Sequence, residues 1–329
     1  MLTLAPYAHE QRAAWDDLVG RSKNGVFLFY RGYMDYHADR FIDASLLFFD
    51  GGRSAAAFPA CRLGDDVVSH AGLTFGGVVS DEQMTIGRMS DVFDLLLDHY
   101  ARQGLKRLVY KPVPRIYHRL PAEEDLYLLF CKEGRLIRRD LSTTIDLRRP
   151  LPYAKGRKWS INKAKKAGLV VQPSADFDSF MAIEEFVLSK YHGTKPVHSA
   201  AEIRLLSQRF PDNIRLFGAF QDVRMLAGVI VYADGPVAHA QYISSTDEGR
   251  EIGASDLVLD HLLREIYADK TYFDFGISTE QGGHYLNSGL ALYKENFGGR
   301  AVVYDWYEIG LSDRHDASVG REAGSPADQ

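Results

Sequence analysis

"IRLFGAFQDVRMLAGVIVYADGPVAHAQ", residues 214–241, decides the fold. The β-branched run in "LAGVIVYA" reads as a strand, and "ADGP" is a hairpin signal. Three antiparallel strands follow, the last ending in a His-Ala step. "SLLFFDGGRSAAAFPACRLGDDVVSHAG", residues 45–72, reads the same way, with "DGG" as its first turn. After each comes a loop, an amphipathic helix with L-x-L-D-H, and another strand: "DVFDLLLDHYARQGLKRLVYKPV" (91–113) and "SDLVLDHLLREIYADKTYFDFGIS" (255–278). Arg53 and Arg224 are 171 residues apart, His70 and His239 169, Asp98 and Asp260 162. Agreement in order, turn position and helix pattern indicates a duplicated domain. Its class is mixed α/β with largely antiparallel sheets.

Pro150 and Pro152 mark a linker between the copies. The expected domains are 1–147 and 148–311, with 312–329, "SDRHDASVGREAGSPADQ", as a tail without apolar periodicity. In "SDLVLDHLLREIY" the residues Leu257, Leu259, Leu262, Leu263 and Ile266 share a helix face. Ser255 occupies the expected N-cap after Gly253.

The chain has 329 residues, 46% hydrophobic and 25% charged, with net charge −5. Nothing global draws it to DNA or to an anionic membrane, so an anionic ligand needs a local basic cluster. The start lacks a cationic flank before an apolar core, so no export signal is expected there. No run approaches the ~20 apolar residues of a membrane span. Cys61 and Cys131 sit in apolar runs and are expected to be buried free thiols, as in a reducing cytoplasm. No H-E-x-x-H or cysteine pair suggests a metal. "DFG" lacks the companion motifs of a kinase.

"RKWSINKAKKAGLVV" (157–171) and "YFDFGISTEQGGHYLNSGLALYKENFGG" (272–299) carry a family likeness. With the order of elements, they resemble tandem-domain proteins of the GCN5-related N-acetyltransferase (GNAT) superfamily. The first is similar to the basic R-x-x-I-x-K-A-x-K-x-G-V segment of the FemAB-like aminoacyl transferases. The second is similar to their closing DFGG…GL-x-x-FK-x-x-FGG segment. The duplication also resembles the sugar N-acyltransferases of surface polysaccharide synthesis. The resemblance implies two tandem GNAT-like domains and acyl-coenzyme A as a co-substrate, with no permanently bound cofactor. It places the thioester where the fourth and fifth strands of a domain splay apart.

In that family a Q/R-x-x-G-x-G/A loop binds the coenzyme A pyrophosphate. Arg250, Gly253, Ala254 and Ser255 fall on it, with Ser in the last place. Backbone N–H groups at a helix start and a nearby Arg favour a phosphate. The corresponding "MTIGRMSD" of the first copy matches poorly, so the donor site is expected in the second.

Acyl transfer to an amine needs the partners held close, the carbonyl polarised and one proton removed. His239, on the strand lining the splay, is the candidate base. Tyr242, expected on the opposite face, is a candidate donor to the leaving thiolate. A strand carboxylate such as Asp274 must pair with a cation or shift in pKa. Pairing with Lys294 is one account, anchoring the acceptor amine or acting as base the other. The resemblance puts Lys294 at the active centre, near a phosphate or the developing oxyanion. Arg157 and Lys158, in the basic segment, are either a solvated face or a diphosphate cradle. His192 and His198, between two expected helices, and His284 and Asn287, in the Gly-rich break, are candidates for the acceptor side.

The expected function is transfer of an acyl group from acyl-coenzyme A to a nucleotide-linked amino sugar. The alternative is a FemAB-type transferase using aminoacyl-tRNA on a peptidoglycan precursor. A third reading is a member that binds but does not catalyse.

Overall fold

The computed structural model describes residues 2–312; of the expected tail, residues 313–329 lie outside the described residues. The chain forms two compact units, one running through Arg139 and resuming at Tyr304, the other Asp140–Val303. Each is a mixed α/β unit with largely antiparallel strands.

The first unit runs β1 (Leu2–Pro6), α1 (Arg12–Arg21), α2 (Arg31–Met34), β2 (Ile42–Asp43), β3 (Leu46–Asp50), β4 (Arg53–Phe58), β5 (Cys61–Leu63), β6 (Asp66–Val68), β7 (Val79–Ser80), α3 (Ile86–Arg102), β8 (Arg107–Tyr110) and α4 (Glu124–Cys131). β1-β3-β4-β7 form one sheet, and β2-β5-β6-β8 lie in order in another, with β6 parallel to β8. Thr85 caps α3, whose Met89, Val92, Phe93, Leu96, Leu97 and Tyr100 form the buried stripe. Cys61 is buried as expected, whereas Cys131 is exposed at the end of α4.

The second unit begins within β9 (Arg135–Asp146). It continues with α5 (Lys155–Lys166), β10 (Val170–Ser174), α6 (Phe177–His192), α7 (Ala200–Arg209), β11 (Ile214–Gln221), β12 (Arg224–Asp234), β13 (Val237–Ser245), α8 (Asp247–Ile252), α9 (Ala254–His261), β14 (Tyr272–Ile277), β15 (Thr279–Glu280), β16 (Tyr285–Leu286) and α10 (Ser288–Glu295), and ends within β17 (Arg300–Gly310), whose residues from Tyr304 on belong to the first unit. The strand order is β10-β11-β12-β13-β14-β9, antiparallel except where β13 meets β14. The odd residues of β12, Val229 and Val231, pack in one core with Val258, Leu259 and Leu262 of the α9 segment. α6 covers the other face, where a Cβ at Gly228 would meet Phe180.

The division falls ahead of the expected boundary at 147/148 for a chemical reason. Ser142 and Thr144 of β9 bond to Asp274 of β14, so the later half of β9 belongs to the second copy's sheet. At the other end, Tyr307–Gly310 are already part of the first unit and pair with its β8.

The duplication shows in the ladders. Both units carry a bulge at the same place: Phe48↔Ala56 is followed by Phe49↔Ser54, and Ala219↔Ala227 by Phe220↔Met225. Cys61 pairs with Val68, and Tyr232 with His239. These pairs keep the Arg53-to-Arg224 spacing. The counterpart of His239 is therefore Val68 rather than His70.

Candidate active site in the second unit

β13 and β14 pair in parallel at only three positions, Val237↔Tyr272, Ala238↔Phe273 and His239↔Asp274. Beyond them β13 runs on to Ser245 and β14 to Ile277 unpaired with each other, and the sheet opens. The last rung carries the chemistry. His239 Nδ1 lies 2.7 Å from Asp274 Oδ2, while Asp274 Oδ1 accepts from Ser142 Oγ (2.6 Å) and Thr144 Oγ1 (2.7 Å). Asp274 is fully buried. A buried carboxylate needs such donors. With Nδ1–H donating to the carboxylate, the imidazole lone pair is on Nε2.

Lys294, on α10, does not pair with Asp274. Its Nζ donates to Gly276 O (2.8 Å) and Ile277 O (2.7 Å), carbonyls of the parted strand that β13 no longer satisfies. Burial lowers its pKa to about 8, opposed by the charge of Asp274. Gly276 has φ +75°, and a Cβ there would sit 3.2 Å from His239 Cε1, so this corner favours glycine.

A cleft of ≈ 410 Å³ opens beside the splay, lined among others by Ser244 and Ser245 of β13, Arg250, Gly253, Ser255 and Lys294. Three of the four expected donor-loop residues thus reach it. Ala254 does not: its side chain is fully buried in the core. The expected loop is a short helix, α8, containing Arg250, which stacks on the Tyr191 ring at 4.5 Å. Gly253, φ +82°, turns the corner and is itself the N-cap of α9, so Ser255 lies in the first turn. A Cβ at Gly253 would run into Ser160 of α5.

Arg157 also lines this cleft, but its charge is answered. It holds Asp256 through Oδ1 (2.8 Å) and Oδ2 (2.7 Å), and Tyr293 Oη donates to the same carboxylate at 3.0 Å. Burial and the Asp256 charge push the Tyr293 phenol up. Lys158 points away from this constellation and lines a separate cavity of ≈ 490 Å³ with Pro150, Leu151 and Arg264.

Tyr242 does not face opposite His239. The β12–β13 register shifts so that Val231 opposes Ala240 and Ile230 opposes Tyr242, leaving Gln241 as a bulge. The extra residue flips the alternation, so Tyr242 and His239 share the α6 face. Tyr242 Oη meets His198 Nδ1 at 2.7 Å, and burial raises its pKa to about 12. His198, expected on the acceptor side, is buried. His192 ends α6, and its side chain lies outside the described residues.

The Gly-rich break is a small hairpin, β15 with β16. His284 is exposed on it. Asn287 caps α10, its Oδ1 accepting from Leu290 N at 3.0 Å. Sequence reasoning missed Ser142, Thr144 and Asp256. The first two carry a period-two signal, hydroxyls at alternate strand positions.

Residues 158–288 match the family described as an acetyltransferase (GNAT) domain. No curated protein matches the chain in sequence. Among solved structures, FemX shares the fold at TM-score 0.67 and 10% identity, over 96% of this chain and 99% of that one. L-PGS from Bacillus licheniformis aligns at TM-score 0.59 and 12% identity, over 95% and 94%. A tandem GNAT protein from the clavulanic acid biosynthesis pathway aligns at TM-score 0.51 and 13% identity, over the whole of both chains. The family match is confined to residues 158–288, and these solved structures share the fold of the chain.

Proposed function

We propose that the second unit transfers an acyl group from a thioester to a primary amine, with acyl-coenzyme A as donor. The observation that carries this reading is the parting of β13 and β14 at the His239–Asp274 rung, beside a cleft bounded by the start of α9. The donor's phosphates would lie against Arg250 and the N-terminus of α9, where N–H dipoles favour an anion. The backbone N–H of the bulge residue Gln241 would polarise the thioester carbonyl. His239 Nε2 would take a proton from the attacking nitrogen, its ring oriented by Asp274. As the C–N bond forms and the C–S bond breaks, that proton returns to the leaving thiolate. Lys294 would keep the splay open by satisfying the Gly276 and Ile277 carbonyls.

The acceptor that the family resemblance suggests is a nucleotide-linked amino sugar. A second reading draws the donor from aminoacyl-tRNA and acts on a peptidoglycan precursor; the Arg157–Val171 segment and the FemX-like fold favour it. Calorimetry with coenzyme A tests the first: binding in the sub-millimolar range is expected, weakened by Arg250→Ala. Silence toward coenzyme A, with salt-sensitive binding of aminoacyl-tRNA, would establish the second instead.

A further inference from the structure

The cavity of ≈ 490 Å³ beside Lys158 lies within the second unit but away from the splay. Gly253 lines the donor cleft and Arg264 lines this cavity, eleven residues later, about 16 Å along a helix. Between the two stand Arg157, Tyr293 and Phe297, with the guanidinium 4.9 Å from the Tyr293 ring and 5.8 Å from that of Phe297. Buried Ile145, Leu263 and Phe297 form the floor. One wall is the strap from Pro150 to Tyr153, which joins β9 to α5. Ala154 N fastens it to Asn296 O (2.9 Å), and a Cβ at Gly298 would sit 2.6 Å from Leu151 O. Its two prolines carry no N–H, so this wall is largely apolar. The rim holds two exposed cations, Lys158 and Arg264, and among the described residues no carboxylate lines the cavity. Arg264 Nε donates to Asp260 Oδ1 (2.6 Å), and its guanidinium lies 4.9 Å from the Tyr153 ring. That fixes Arg264 in place with N–H groups to spare. Lys158 differs from its neighbours on α5. Arg157 holds Asp256 and Lys165 reaches Asp260, but among the described residues no acidic side chain pairs with Lys158.

We propose that this cavity binds an amphipathic carboxylate, with its apolar chain on the Ile145–Leu263–Phe297 floor and its carboxylate between Lys158 and Arg264. The volume is that of a small-molecule site, and such sites pair an apolar lining with a few polar anchors. An apolar chain that leaves water for this floor gains free energy roughly in proportion to the area buried. The planar donor fork of Arg264 matches two carboxylate oxygens, and Lys158 adds a point charge. Asp260 already answers Arg264, so Lys158 is the lining cation left over. A single surplus charge favours a monoanion over a dianionic phosphate. The site is independent of the acyl-transfer reading: His239, Asp274, Arg250 and Lys294 do not line it.

The test uses the full chain and n-octanoate, titrated by calorimetry near neutral pH, with 1-octanol, octylammonium and octyl phosphate for comparison. Octanoate is expected to bind more tightly than the other three. Lys158→Met keeps an aliphatic side chain and removes the charge. It should weaken octanoate by about tenfold, as expected for loss of a charged hydrogen-bond partner, and leave 1-octanol unchanged. Ala268→Phe fills the cavity from its exposed rim and should abolish binding of both. No binding of octanoate to wild type, or binding that neither variant weakens, overturns the proposal. So does octylammonium that binds as tightly as octanoate. Tighter binding of octyl phosphate overturns the carboxylate assignment. Thermal melts check the fold of each variant, and Lys158→Gln repeats the charge test where Lys158→Met does not fold. Saturating coenzyme A should leave octanoate binding unchanged, as should Arg250→Ala. Displacement of octanoate by coenzyme A would overturn the separate site. Octanoate binding without coenzyme A binding sinks the donor reading and leaves this site standing.

Discussion

The two copies share a ladder and differ at one rung. In the second unit, the last parallel pair before the strands part is His239 and Asp274. In the first, β6 and β8 also pair in parallel at three positions, and the last pair is Val68 and Val109, both buried. Past that rung the copies diverge again. Ser245 pairs with Ala227 and Ser80 with Ala56, the same place in each ladder, yet the first copy takes six more residues to get from its last rung to that serine. The extra chain folds back onto β8. Ser69 N donates to Val109 O (2.9 Å), Gly76 N to Lys111 O (2.8 Å) and Val78 N to Tyr110 Oη (2.7 Å), while Lys111 Nζ donates to His70 O and Leu73 O. One copy has an open splay with a polar dyad at its apex; the other has an apolar apex and a gap filled by its own loop. The fold alone therefore does not make a site. Two side chains and the course of one strand do.

The largest expected effect separates the copies by chemistry. Asp274→Asn keeps the shape but removes the carboxylate that orients His239. It should lower kcat by about 10²–10⁴-fold, read as thiol release from acyl-coenzyme A with an amine acceptor. Val109→Asn, at the matching rung, should leave kcat unchanged and cost the first unit about 1–3 kcal/mol for a polar group buried without partners. A loss of turnover in Val109→Asn would break the assignment of the site to one copy.

The buried lysines sharpen the comparison next. Lys111 is lowered to about 7 and Lys294 to about 8, both chiefly by burial. The folded state thus binds these protons less tightly than the unfolded chain. Between the folded value and the ordinary lysine value, the unfolded state holds more protons, so stability rises with pH. Below both values the slope vanishes. Each lysine adds up to about 1.4 kcal/mol per pH unit inside its window. Lys294→Met should flatten the pH dependence of the second unit's unfolding above about pH 8, and Lys111→Met that of the first above about pH 7, read from urea melts across pH 7 to 10. Only Lys294→Met should also lower turnover, because only its carbonyls belong to an open splay.

Much of this was legible in the residues. Turn chemistry, strand alternation and the L-x-L-D-H helix face are local signals, and they repeat, so the duplication could be read directly. Asp274 and His239 stand out because a charge or an imidazole amid Phe273, Phe275 and Ala238 demands an account, and Lys294 stands out through the likeness of its segment to the family's closing motif. What stayed hidden depends on register. The bulge at Gln241 exists only relative to β12, so plain alternation put Tyr242 on the wrong face. His70 looked like the partner of His239 because both precede Ala, yet the ladder selects Val68. Ser142 and Thr144 belong to a strand ahead of the linker, and nothing local ties them to a carboxylate 130 residues on.

That pair supports the smallest effect and the finest test of the comparison. Thr144→Val is nearly isosteric and removes one donor to Asp274 Oδ1. Ser142 Oγ still donates to the same oxygen, at 2.6 Å. The loss should therefore be modest, about 1 kcal/mol for one hydrogen bond, with turnover reduced only a few-fold. Ser142→Ala should cost a similar amount. The double variant should cost more than the sum, because it strips both hydroxyls from one buried oxygen and leaves His239 as the only partner among these three. Chemical denaturation of the four proteins gives the coupling energy, and the ring nitrogen shifts of His239 show whether its Nδ1 tautomer survives. Strict additivity would mean that each hydroxyl is incidental, as at the Val68–Val109 rung, where no carboxylate exists for a hydroxyl to support. Coupling would show that the second copy's dyad is held by a shared oxygen that the first copy has no use for.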